Sequence, residues 1–211
     1  MITRRRFTHL AARGVIGGSS GLLAGVGANP TLAAAPKPKP YTSSFTPKGL
    51  HTQPWFLNSY LDLKDDLQET AASGKRFAIM WELAGCPYCR ETHLVNFAKP
   101  DISEYIQENF EVLQLDLYGS RKVVDFDGRT MTESALAKRN KIHFTPTFQF
   151  FAENLKGVTG MDRNKTLEVA RMPGYFRPRH FLAMFQFVRD KGYESGDYRS
   201  YLKSRTTKQS G

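Results

Sequence analysis

The chain has two cysteines, Cys86 and Cys89, separated only by Pro87 and Tyr88. With no third cysteine, any disulfide inside the chain joins these two. A loop this short restricts the unfolded chain little, so the bond adds little stability. The pair reads as chemistry rather than as a staple. Its setting constrains the fold. Arg76-Phe77-Ala78-Ile79-Met80-Trp81 is a short apolar run that reads as a buried strand, and Gly85-Cys86 follows at once. Arg90 to Ala98 then reads as a helix with Leu94 and Phe97 on one side. A strand-to-helix junction places Cys86 at a helix N-terminus, where unpaired N–H groups and the positive dipole end favour a thiolate. Thiolate is the nucleophilic form. Cys86 is therefore the expected attacking sulfur, and Cys89, about one turn on, the resolving one. Pro87 suits the first helical turn, where its missing N–H costs nothing. Tyr88 adds an aromatic rim and receives no chemical step. The other use of such spacing is half of a zinc site, but zinc needs three or four protein ligands. No second cysteine pair exists, and His93, four residues past Cys89, lacks company. No metal and no separate cofactor are expected. His93 is read as a helix-surface residue outside the mechanism.

Further elements follow from pattern. Trp55 to Ala72 has apolar residues at mostly helical spacing, with Gly74 marking the end. Asp101 is a candidate cap for a helix reaching Asn109. Phe110 to Leu117 alternates apolar and polar, as a strand does. Gly119 to Arg129 is polar and ends in the turn signal Asp127-Gly128. Thr132 is placed to cap a helix holding Ala135, Leu136 and Ala137. Thr145 to Phe151 reads as a third strand and Leu167 to Arg171 as a fourth. Pro178 opens a last helix whose face is Phe181, Leu182, Phe185 and Val188. The order is helix, strand, helix, strand, helix, strand, strand, helix. It implies an α/β fold: a central mixed β-sheet flanked by helices on both faces.

The ends read differently. Arg4, Arg5 and Arg6 precede Phe7, a Gly- and Ala-rich stretch runs from Gly14 to Gly27, and Ala33-Ala34-Ala35 closes the segment. A basic start, a short apolar middle and a small-residue end make a signal peptide over residues 1–35. The paired arginines before Phe7 give it a twin-arginine character, so the expected location is the periplasm. A basic tail and an uncleaved anchor are the other readings, and six glycines make the segment a poor span. Residues 36–54 are rich in Pro, Lys, Ser and Thr and read as a linker. The folded domain is placed at 55–195 and a polar, frayed tail at 196–211. A hydrophobic fraction of 40% is enough for a core and argues against global disorder. The net charge of +10 includes four arginines in the first 35 residues, and no basic run is interleaved with aromatics. Nucleic acid is therefore not expected as a partner.

Thr145-Pro146 opens an apolar strand, an unusual place for proline. A cis bond there would free neighbouring backbone groups to pair with a target peptide as an added strand. An ordinary trans edge proline is the alternative. Taken together, Cys86-Pro87-Tyr88-Cys89 and Phe144-Thr145-Pro146-Thr147-Phe148 resemble the thioredoxin superfamily. With Asp125-Phe126-Asp127-Gly128 and Arg171-Met172-Pro173-Gly174-Tyr175, the stretch from Ala78 to Tyr193 is similar to SoxW-type periplasmic thioredoxins of sulfur-oxidation systems. The resemblance implies a thioredoxin fold, with Thr145 and Pro146 contacting the target. It also implies periplasmic protein disulfides as substrates and a membrane electron-transporting reductase as donor. A monomer is expected. Three departures stand out. Gly85 precedes Cys86, and Pro-Tyr between the cysteines is a glutaredoxin-like dipeptide. Met80 occupies the position of thioredoxin's buried aspartate. Glu82 is then a candidate proton acceptor for Cys89, or else a solvated carboxylate. A disulfide oxidase or isomerase would use the same residues, and a non-catalytic binding module would not need both cysteines. A glutathione-dependent glutaredoxin fits the motif but not the export signal.

Overall fold

The computed structural model describes residues 44–154 and 167–208. The signal segment and residues 36–43 lie outside them. Four strands form the central sheet: β3 (Arg76–Glu82), β4 (Phe110–Asp116), β7 (Thr147–Phe151) and β8 (Glu168–Pro173), in the order β4-β3-β7-β8. β3 runs parallel to β4, pairing Glu82 with Asp116, and antiparallel to β7, pairing Ala78 with Phe150. β7 and β8 are antiparallel. The sheet is therefore mixed, as the sequence implied.

Every residue of β3 is buried, because both faces of the sheet are covered. Side chains alternate across a strand. Phe77, Ile79 and Trp81 join one cluster with Leu63 and Leu67 of α1 (Leu63–Ala72) and Leu136 of α4 (Glu133–Arg139). Ala78 and Met80 join the other, with Ile106 of α3 (Pro100–Asn109) and Phe181, Met184 and Phe185 of α5 (Pro178–Arg189). Met80, where a buried aspartate would sit in thioredoxin, is thus an apolar core residue. The next residue of β3 on its face is Glu82.

Several expectations are corrected. The expected linker contains a two-stranded hairpin, β1 (Ser44–Phe45) and β2 (His51–Thr52), followed by buried Gln53. The helix expected from Trp55 begins only at Leu63. Asp62 caps it, accepting from the N–H groups of Lys64 and Asp65, and Leu61 just before is left-handed at φ +66°. Trp55 and Phe56 pack as loop residues against the second cluster. The polar stretch after Gly119 forms a hairpin, β5 (Lys122–Val124) and β6 (Thr130–Thr132). Its turn is held by Arg139, which donates to Asp125 at 2.8 Å and Asp127 at 2.6 Å. α3 has Lys99 at the N-cap position with no capping bond from its side chain, Pro100 at its start, and Asp101 in the first turn rather than at the cap. Thr132 caps α4 as read.

The tail also differs. Two helices follow α5: α6 (Gly192–Ser195) and α7 (Tyr198–Lys208). Tyr198 and Tyr201 lay their rings 5.7 and 5.3 Å from that of Phe187. The Tyr201 hydroxyl donates to Asp190 at 2.7 Å. The polar composition of this stretch hid two anchoring tyrosines.

The helix after the cysteines is interrupted. α2 (Pro87–Glu91) runs into a π-helical turn, Thr92–Asn96. The Phe97 N–H reaches back to the Thr92 carbonyl at 3.0 Å. A wider turn advances the buried face by part of a turn. Thr92, His93, Asn96 and Phe97 point inward, while Leu94 is only half-buried. His93 is therefore not a surface residue.

Candidate active site

The site forms where β3 hands over to α2. Gly85 adopts φ +75°, a left-handed conformation that costs an L side chain about 1–2 kcal/mol. It turns the chain so that Cys86 caps α2 with extended backbone (φ −71°, ψ 115°). Pro87 follows at the first helical position, as read. Cys86 and Cys89 are joined as a disulfide with Cα atoms 5.3 Å apart. The backbone N–H of Cys89 donates to the Cys86 sulfur at 3.1 Å, and this bond would strengthen on a thiolate. Cys86 sits at the surface boundary, 9% exposed, and Cys89 is sealed at 1%. That asymmetry makes Cys86 the more accessible of the two sulfurs.

Thr145-Pro146 meets the disulfide from the opposite side. The peptide bond is cis. The Thr145 carbonyl oxygen and hydroxyl each lie 3.4 Å from the Cys86 sulfur. Pro146 is buried, and its carbonyl accepts from the N–H of Gly174 at 2.7 Å. The Arg171–Tyr175 motif thus braces the proline loop. It also supplies Tyr175, whose ring stacks on Tyr88 at 6.4 Å with planes 19° apart. Tyr88 is 60% and Phe144 65% exposed, so aromatic surface lies on residues flanking both halves of the site.

Glu82 is buried, which excludes the solvated reading. Its Oε1 lies 2.9 Å from Nε2 of His93, and its other oxygen accepts from the Gln114 amide. Nδ1 of His93 lies 3.0 Å from the Gln53 side-chain nitrogen. A buried nitrogen that donates to Nδ1 leaves Nε2 to carry the proton toward Glu82. His51 packs beside this group, its ring 5.6 Å from that of His93. Its pKa is lowered by burial and then by the neighbouring His93. Neither His93 nor Gln53, Gln114 and His51 was singled out as functional from the sequence. The one available signal was the four-residue spacing of His93 from Cys89, which places both on one helical face. Among the described residues, no group of three or more His, Cys, Asp and Glu side chains is placed to hold a metal ion. Nor is any described helix long and apolar enough to cross a membrane.

A redox cysteine pair heading a helix, faced by a cis-proline loop on a four-stranded mixed sheet, defines a thioredoxin-fold protein. The family model described as a thioredoxin-like domain matches residues 63–189. The chain belongs to that family, whose members as a class are thiol–disulfide oxidoreductases working through a redox-active disulfide rather than an added cofactor. No curated protein matches the chain. Among solved structures, a thioredoxin-fold protein from Helicobacter pylori is similar, with 21% identity and a TM-score of 0.50, over 63% of this chain and 85% of that one. A thioredoxin from Thermus thermophilus shares 23% identity with a TM-score of 0.46, over 64% and 90% of the two chains. At these identities the likeness concerns the fold.

Proposed function

We propose that this protein is an exported protein-disulfide reductase. The observation that carries the proposal is the Cys86–Cys89 disulfide at the head of α2, with Thr145 3.4 Å from the outer sulfur. In the reduced protein the Cys86 thiolate attacks a target disulfide. A Cys86–target bond forms, the target S–S bond breaks, and one target sulfur leaves as a thiol. Cys89 then gives up its proton and attacks Cys86, releasing the second target thiol. The protein ends oxidised and the target reduced by two electrons. Thr145 and Pro146 align the target backbone beside Cys86, and Tyr88 with Phe144 offers apolar contact.

The natural targets are disulfides of exported proteins, and the electrons come from a membrane reductase. A role in sulfur oxidation is supported by the resemblance of Asp125–Gly128 and Arg171–Tyr175 to the SoxW type. Periplasmic placement is supported by the arginine pair before Phe7 and the small-residue end of the 1–35 segment. Changing Arg5 and Arg6 to lysine should abolish export of a folded reporter fused to that segment.

Insulin reduction driven by dithiothreitol tests the activity. The wild-type chain should accelerate precipitation of the insulin B chain, and Cys86→Ser should not. Cys89→Ser should accumulate a mixed disulfide through Cys86. Full activity in Cys86→Ser would end the proposal and leave a non-catalytic binding module.

A further inference from the structure

The resolving step leaves one question of chemistry: where the Cys89 proton goes. Cys89 is sealed from solvent, and a buried thiol ionises reluctantly. The position that carries a buried acid in thioredoxin is filled by Met80, packed in the apolar cluster. Two residues further along the same strand face, Glu82 is equally buried and is paired with His93 at 2.9 Å. His93 lies one turn beyond Cys89 on the inward face of the same helical run. Resting on the function proposed above, we propose that Glu82 and His93 act as one proton-holding unit for Cys89, positioned by Gln114 and Gln53.

Each partner has a separate task. Gln114 fixes one carboxylate oxygen, leaving the other for the imidazole. Gln53 fixes the far ring nitrogen and so sets which nitrogen faces Glu82. The edges of Phe56 and Phe97 pack against the His93 ring and hold its plane. As Cys89 attacks Cys86, its proton passes to the Glu82 carboxylate, whose oxygens keep lone pairs beyond those engaged by Gln114 and His93. The pair returns it to solvent afterwards, and no electron passes through it. Gln53 and Gln114 also line a pocket of about 430 Å³, so both residues that position the pair border a cavity. The N-terminal hairpin contributes His51, and Gln53 directly follows that hairpin, both outside the matched 63–189 segment.

The charged and titratable groups facing the pair are few. His51 lies on β2. Arg90 on α2 acts on His51. Asp116 on β4 pairs in register with Glu82. Arg121 donates to the Gln114 carbonyl at 3.0 Å and is itself neutralised by Glu133. None of these donates a hydrogen bond to the Glu82 carboxylate, and among the described residues His93 is the ionisable group hydrogen-bonded to it.

The test is rapid-quench single turnover of the reduced full chain against a small aromatic disulfide, with the Cys86 mixed disulfide counted by mass. Wild type should resolve without accumulation. Glu82→Gln and His93→Asn should attack at the wild-type rate but resolve more slowly near pH 7, by about 100-fold, the lower range of general-base effects. That deficit should shrink steadily toward pH 9.5, where hydroxide ionises Cys89. Wild-type resolution in either folded variant, or slowing by the same factor at every pH, overturns the proposal. A second readout needs no variant. The His93 ring nitrogens should change chemical shift between oxidised and reduced wild-type protein by NMR at one fixed pH, and identical shifts would also overturn it. If the reduced wild type releases no aromatic thiol and stays unoxidised, the function itself fails, a result distinct from either of these.

Discussion

Asp66 gives a quantitative test of the packing of α1. It lies in the first turn of that helix, where the dipole favours an acid by about 0.3–1 kcal/mol. Burial opposes this and wins. Asp66 is 8% exposed, and desolvation raises its pKa from 3.8 to about 6, against the hydrogen bond from Ser59 and with repulsion from Asp62, Glu69 and Asp65. At about 1.36 kcal/mol per pH unit, the ionised carboxylate costs about 3 kcal/mol above pH 7. The sign follows from proton counting. Between pH 4 and 6 the folded chain keeps a proton that the unfolded chain has lost, so stability falls as pH rises through that window. Asp66→Asn removes the charge and keeps the oxygen that accepts from Ser59 at 2.7 Å. Urea unfolding should show a gain of about 3 kcal/mol at pH 7.5 and under about 1 kcal/mol at pH 4. A gain independent of pH, or a loss at pH 7.5, refutes the reasoning.

Three further outcomes are expected. Gly85→Ala meets no atom within 4 Å of the added carbon, so its cost is backbone strain alone. Unfolding of the reduced protein should show a loss of about 1–2 kcal/mol. His51 has a lowered pKa in the fold, so its contribution is present above its unfolded pKa and is lost as pH falls below about 6.5. His51→Asn should therefore lose less thermal stability than wild type between pH 7 and pH 5. A chain ending at Asp197 lacks the two tyrosine rings on Phe187, and at about 0.5–1.5 kcal/mol per aromatic pair it should unfold about 1–3 kcal/mol more easily.

The sheet and the cysteine pair were legible in the sequence because their signals are local. Arg76–Trp81 and Thr147–Phe151 are apolar runs of strand length, and Cys86 to Cys89 is a contiguous motif. What escaped depends on contacts distant in sequence or on short elements. β5 and β6 have three residues each, too few to show alternation. Helical spacing in Trp55–Tyr60 belongs to a loop in which Trp55, Phe56 and Leu57 pack on the core and Tyr60 is exposed, and the true start is set by the Asp62 cap. The tail looked frayed because two tyrosines were averaged into eleven mostly polar residues. Glu82 was singled out as a candidate, but its burial was not readable, because its partners come from Gln114 and His93 on other elements. His93 was misplaced because a single histidine on a polar helix resembles a surface residue until the π-helical turn rotates it inward.

The central claim is that Cys86 and Cys89 are a working reductant for other proteins' disulfides. Its most direct test is the equilibrium reduction potential of that pair in defined thiol buffers, with free thiols trapped and counted by mass. A value near that of thioredoxin, about −270 mV, is expected for an electron-donating reductase. A value near about −120 mV would contradict it and make the protein a disulfide oxidant, and failure of the pair to form an internal disulfide would end the redox account.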